Sequence, residues 1–155
     1  MNERPGPGAD GEADAGAPDE WDQAATWTTV CEIVGALPGT ALDADDHDHP
    51  AWRVRKAVLV RHNPRLRVPD EEAIRLARGE LVSLRIDRRD REALLQEDAG
   101  TFFITPHWES SPSVLVWLTT VDPVELRELL VDAWRLLAPK GVVREWDAEH
   151  APHEA

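Results

Sequence analysis

DPVELRELLVDAWRLLAPK, residues 122–140, is the stretch whose reading decides the fold. Asp122, Pro123 and Glu125 spell a capping box with proline at the first helical position, where its missing N–H removes nothing from the helix. Leu126, Leu129, Leu130, Ala133, Trp134 and Leu137 then recur at helical spacing until Pro139 stops the run. One stripe of this helix must be buried against an apolar surface, and the segments upstream supply it. TFFIT (101–105) and SVLVWL (113–118) are rich in β-branched and aromatic residues and read as strands, with PHWESSP (106–112) as the hairpin loop between them.

Further upstream the same alternation of strand and helix signals continues. ELVSLRI (80–86) reads as a strand, and Asp87 caps a short helix carrying Ala93, Leu94 and Leu95. Trp52 to His62 reads as one long strand or as a hairpin bent near Arg55-Lys56, with Val54, Val58 and Val60 on one face and Arg53, Arg55, Leu59 and Arg61 on the other. Asp70 is the expected N-cap of a short inserted helix, with Glu71 and Glu72 in its first turn, Arg75 and Arg78 in its last, and Gly79 beyond. Thr26 caps a first helix with Val30, Ile33, Val34 and Leu37 on one face, ended by Pro38-Gly39. The order α-β-β-(α)-β-α-β-β-α with short connections predicts an α+β fold, a two-layer sandwich of an antiparallel sheet covered by helices.

The 155 residues suit one domain with tails. Residues 1–25 are rich in Pro, Gly, Ala and acid, with seven Asp/Glu against Arg4, and are expected to be a disordered acidic tail. Residues 26–140 form the domain, and 141–155, with net charge −3, are expected to be a second acidic tail. No segment approaches the length of a membrane span and the start lacks a secretory pattern, so a cytoplasmic location is expected. Cys31 is the single cysteine, which excludes an intramolecular disulfide and a cysteine-based zinc cluster. The formal net charge of −13 is unevenly spread: residues 1–50 carry −11, whereas 53–91 carry +6.

LPGT (37–40), PAWRV (50–54), REALL (91–95), FFITPHW (102–108), PSVLVWL (112–118) and ELRELLVDAWRLLAPK (125–140) together resemble the MmcQ/YjbR family, in the same order and spacing. The resemblance spans residues 26–140. It implies an α-β(3)-α-β(2)-α arrangement, YjbR-like and shared with secretion chaperone-like proteins, in which Asp70–Gly79 is an insertion. It also implies DNA binding, a description that rests on likeness to a double-wing DNA-binding domain and so on fold analogy. Two positions depart from the family pattern. Arg55-Lys56-Ala57 replaces a glycine-containing turn, which leaves a bend or bulge as an alternative to a tight hairpin. Trp117 stands where relatives often carry Arg or Lys, so the sheet face is less basic here.

The stretch WRVRKAVLVRHNPRLRV (52–68) holds six Arg/Lys and no acid. Arg53, Arg55, Lys56, Arg61, Arg65 and Arg67 are therefore the candidate phosphate contacts of a nucleic-acid-binding surface, since cations displace condensed counterions whatever the base sequence. A solvated strand face pairing with the acids of 43–48 is the plain alternative. The acidic tail is expected to fold back over Arg53, Arg55, Lys56 and Arg61 as a competing polyanion. Trp108 and Trp117 form the alternative candidate site, a partner or homodimer surface, unless the tail GVVREWDAEH covers them. That alternative makes the chain a protein-interaction or chaperone-like module that binds no nucleic acid. Asp45, Asp46, His47, Asp48 and His49 could offer ligands, but they lack the glycine-turned loop of an EF-hand, and no metal or other cofactor is expected. His107 follows a strand without any Ser or Cys nucleophile at a known spacing; no catalytic residue is assigned and no enzymatic activity is expected.

Overall fold

The computed structural model describes residues 24–45 and 48–150. The expected acidic tail up to residue 23, Asp46, His47 and residues 151–155 lie outside the described residues. In chain order the elements are α1 (Trp27–Gly35), β1 (Thr40–Asp43), β2 (Ala51–Val54), β3 (Ala57–His62), α2 (Glu71–Arg78), β4 (Leu81–Arg85), α3 (Arg88–Glu97), β5 (Phe102–Phe103), β6 (Ser113–Trp117), α4 (Pro123–Leu137) and α5 (Lys140–His150). A 3-10 turn at Pro106–Trp108 separates β5 from β6.

The strands form one antiparallel sheet in the order β1-β2-β3-β4-β6-β5. Pairing places Val60, Val82, Leu84, Val114 and Val116 on one face, where they meet Val30, Ile33 and Val34 of α1 and Leu126, Leu130, Ala133 and Trp134 of α4. Local chemistry sets both helices. Asp122 accepts from the Glu125 amide at 3.0 Å, and Thr26 and Thr29 cap α1 reciprocally. Trp134 is fully buried and its indole N–H donates to the Pro38 carbonyl at 2.8 Å, which locks α4 to the end of α1.

The α+β architecture is as the sequence predicts, with informative differences. Thr40–Asp43, absent from the predicted element order, is the edge strand β1. With two of its four residues exposed and none buried, it carries no apolar alternation to betray it. Trp52–His62 is a tight hairpin, and Arg55 takes the left-handed backbone (φ +56°) that a glycine would otherwise occupy. The facing assignment within this hairpin is corrected. Trp52 pairs with Val60 and Arg53 with Val58, so Leu59 is an extra, bulged residue that enters the core beside Val60, while Val58 turns to the opposite face with Arg53. Residues 141–150 of the expected C-terminal tail are instead part of the helix α5. Its Val142, Val143 and Trp146 pack on the core, Trp146 lies 5.4 Å from Trp134, and Arg135 of α4 reaches Asp147 at 2.8 Å.

The second face of the sheet is not bare. Leu66, Leu81, Leu115 and Trp117 make a separate small core there, joined by Val68, Ile74, Phe103 and Trp108. The chain between β3 and β4, with α2, therefore adds a partial third layer over part of the sheet.

Candidate nucleic-acid interface

The six basic residues of 52–68 do not converge on one spot. Arg53 and Arg61 point to the second face of the sheet, half-buried and already engaged. Arg53 bonds Asp43 at 2.9 Å and the Lys56 carbonyl at 2.8 Å, and Arg61 donates to the His49 carbonyl at 2.8 Å. The Asp45 amide first, and then the Arg53 guanidinium, hold the Asp43 carboxyl below the usual carboxylate range. Arg55 and Lys56 occupy the exposed tip of the hairpin, while Arg65 and Arg67 are exposed on the loop after β3. None of these four makes an ion pair among the described residues. Because β3 is six residues long, the tip and the loop lie about 20 Å apart.

The loop holding Arg65 and Arg67 is built as a platform. Glu71, at the start of α2, accepts from the Leu66 amide at 2.8 Å and the Arg67 amide at 3.0 Å, and Arg75 bridges Glu71, Asn63 and the Pro64 carbonyl. From the other side the Trp108 indole donates to the Arg65 carbonyl and the Thr105 hydroxyl to the Leu66 carbonyl, both at 2.8 Å. Leu66 is buried as the anchor, and Arg67 is held at φ +63°. Several of the loop's backbone polar groups are thus consumed internally, and the loop offers to solvent the Arg65 and Arg67 guanidinium groups together with the Asp70 carboxyl.

One cation was missed by sequence reasoning. Pairing of β3 with β4 brings Arg85 to the hairpin end of the sheet, where its Nε donates to the Val58 carbonyl at 3.2 Å. The signal was present in the alternation of LVSLR, which puts Arg85 on the same face as Ser83 and Leu81.

The alternative surface is corrected. Trp117 is 4 % exposed, stacked on Phe103 at 5.4 Å with Arg78 over its ring, and covered by the 63–78 segment rather than by the C-terminal residues. Trp108 is half-buried and spends its N–H on the platform. Neither offers an open apolar face. His107 is exposed beside Trp108, and Cys31 accepts from the Trp52 indole at 3.4 Å. Among the described residues no group of three His, Cys, Asp or Glu is placed to hold a metal ion; Asp46 and His47 lie outside them. A half-open cavity of about 510 Å³ beside the start of α3 mixes Arg85 and Arg89 with Asp87, Asp90 and Asp132. No helix among the described residues is long and apolar enough to cross a membrane.

Comparison with known proteins adds the following. A family model described as YjbR matches residues 35–136. The uncharacterized proteins Mb2600 of Mycobacterium bovis and Rv2570 of Mycobacterium tuberculosis are each 40 % identical over 126 residues, covering 77 % of this chain and 94 % of theirs. The crystal structure of Deinococcus radiodurans protein DR2400, with a DUF419 domain, aligns with a TM-score of 0.56 at 20 % identity, covering 84 % of this chain and 91 % of that one. At that identity the likeness speaks to the fold.

Proposed function

The chain belongs to the YjbR family, and from that premise we propose that it is a non-catalytic DNA-binding protein that engages phosphates through Arg55, Lys56, Arg65 and Arg67. Arg53, Arg61 and Arg85 stiffen the sheet between the two pairs. The observation that carries this reading is the placement of Arg55. A non-glycine residue at φ +56° costs about 1 kcal/mol relative to glycine, so the arginine at the tip of the hairpin sits there at a cost to stability. The platform points the same way, since its hydrogen bonds order a loop that presents Arg65 and Arg67 to solvent, beside the exposed Asp70. The competing module, docking partners through Trp108 and Trp117, would need a sheet face that the chain's own Leu66, Val68 and Ile74 occupy.

The test is salt-dependent binding to duplex DNA. Four phosphate contacts give a slope of log affinity against log salt near −3.6, at about −0.9 each. Arg55→Gly with Lys56→Ala should flatten the slope by about 1.8. Arg55→Gly alone should leave the protein as stable or more stable while binding weakens, a combination that unfolding cannot mimic. Undetectable binding at about 50 mM salt, where non-specific binders are ordinarily visible, would sink the reading.

A further inference from the structure

We propose that the Arg65–Arg67 platform is the docking surface for the chain's own acidic N-terminal segment, residues 1–23, which therefore competes with any other polyanion for those two arginines. The inference rests on reading the platform as an anion-binding surface. Its first support is charge: residues 1–23 hold seven Asp/Glu against Arg4, net −6.

Its second support is where that segment joins the fold. The first turn of α1 is pinned to the end of β3. The Trp27 amide donates to Glu80 Oε1 at 3.1 Å, the Trp27 ring stacks on His62 at 4.7 Å, and His62 Nε2 lies 3.2 Å from Glu80 Oε2. His62 is the last residue of β3, and the platform loop begins at Asn63. The acidic segment is thus tethered at the platform's end of β3, whereas the Arg55–Lys56 tip lies about 20 Å farther along the strand. The structure redirects the expectation that the segment covers Arg53, Arg55, Lys56 and Arg61, because two of those are engaged and the others are at the far end.

Reach is not limiting, since a chain advances up to about 3.4 Å per residue. Tethering favours this occupant over a free anion. A linked segment is present at an effective concentration of roughly 1 mM, and a contact with a dissociation constant of about 0.1 mM is then about nine-tenths occupied. Docking of that strength lowers the affinity of the full chain for an external polyanion about tenfold where the platform is required.

The experiment uses the full-length protein and a full-length variant in which Asp10, Asp14, Asp19 and Asp22 become Asn and Glu12 and Glu20 become Gln. Amide chemical shifts of Arg65–Val68 and the Trp108 indole N–H are followed as salt rises from about 50 mM to about 500 mM, which shortens electrostatic range several-fold. These resonances should move in the parent chain toward positions that the variant already holds at low salt. Identical salt responses in the two chains would overturn the docking. Duplex DNA affinity is measured on both in parallel, and the variant should bind about tenfold tighter at low salt. Shifts behaving as expected with no DNA bound by either chain keep the docking and remove the DNA-binding reading. Identical shifts with DNA bound by both chains do the reverse.

Discussion

Arg91 is 7 % exposed and its guanidinium meets carbonyl oxygens: Nη1 donates to Ser111 at 2.8 Å and Ser113 at 3.2 Å, and Nη2 to Glu109 at 2.9 Å. Its Nε is buried without a partner. One side chain of α3 therefore ties down the end of the connection between β5 and β6 that runs from Trp108, whose carbonyl lies 3.4 Å from Nη1, to Ser113. In the sequence Arg91 belongs to the run RRDRE, where its three arginines look alike, and only its position three residues before Leu94, on the buried stripe, sets it apart. Removing it leaves several carbonyls without donors, so Arg91→Ala should destabilise by about 3–5 kcal/mol in urea unfolding. Arg91→Lys should recover less than half of that loss, because an ammonium cannot reproduce the fork that serves separate carbonyls. A lysine variant as stable as the parent would show that charge alone, not the fork, holds the loop.

At the scale of elements, local signals were legible and cooperative ones were not. The cap at Asp122 and the apolar stripe behind it give α4 nearly residue for residue, because both are written within a few turns of chain. Asp122→Ala should cost about 1 kcal/mol by thermal unfolding, the usual worth of an N-cap. The helix α5 was not legible, since KGVVREWDAEH offers only Val142, Val143 and Trp146 as apolar contacts and depends on Trp134 to bury them. Asp70 was legible but misassigned. Its backbone is left-handed at φ +62° and its side chain caps nothing, while the longer Glu71 reaches back to the loop amides. Burial works to raise the Glu71 carboxyl, but the Leu66 and Arg67 amides and the Arg75 guanidinium outweigh it, and the group lies below its ordinary range. A depressed carboxyl stabilises the fold above its unfolded value and loses that contribution as pH falls through the folded one. Glu71→Gln should therefore be less stable than the parent by about 1–2 kcal/mol near neutral pH, with the gap closing in the acid range below the ordinary glutamate value of 4.5. A gap that persists unchanged to low pH would mean that the carboxylate charge plays no part in the clasp.

Across the whole molecule, the period-2 and helical patterns were enough to predict a sheet with helices on it, because burial of one face is imposed by composition. They could not say what covers the other face, since that depends on where the 63–78 segment lands after leaving β3. Trp117 shows the difference. Alternation with Val116 puts it on the second face, where an aromatic side chain is a candidate contact for another molecule. The fold instead closes Leu66, Leu81 and Leu115 around it, with Phe103 stacked at its side. Trp117→Arg then tests which cover is real. An interface residue replaced by arginine separates subunits and leaves each one folded. A residue buried by its own chain loses its packing and strands a charge, which should destabilise by about 4 kcal/mol while elution volume on sizing stays that of the parent. Trp117→Phe keeps an aromatic partner for Phe103 and should lose less than half as much, which separates packing from the charge. A fall in apparent size at unchanged melting temperature would place the covering surface on a second molecule and undo the assignment of the partial third layer.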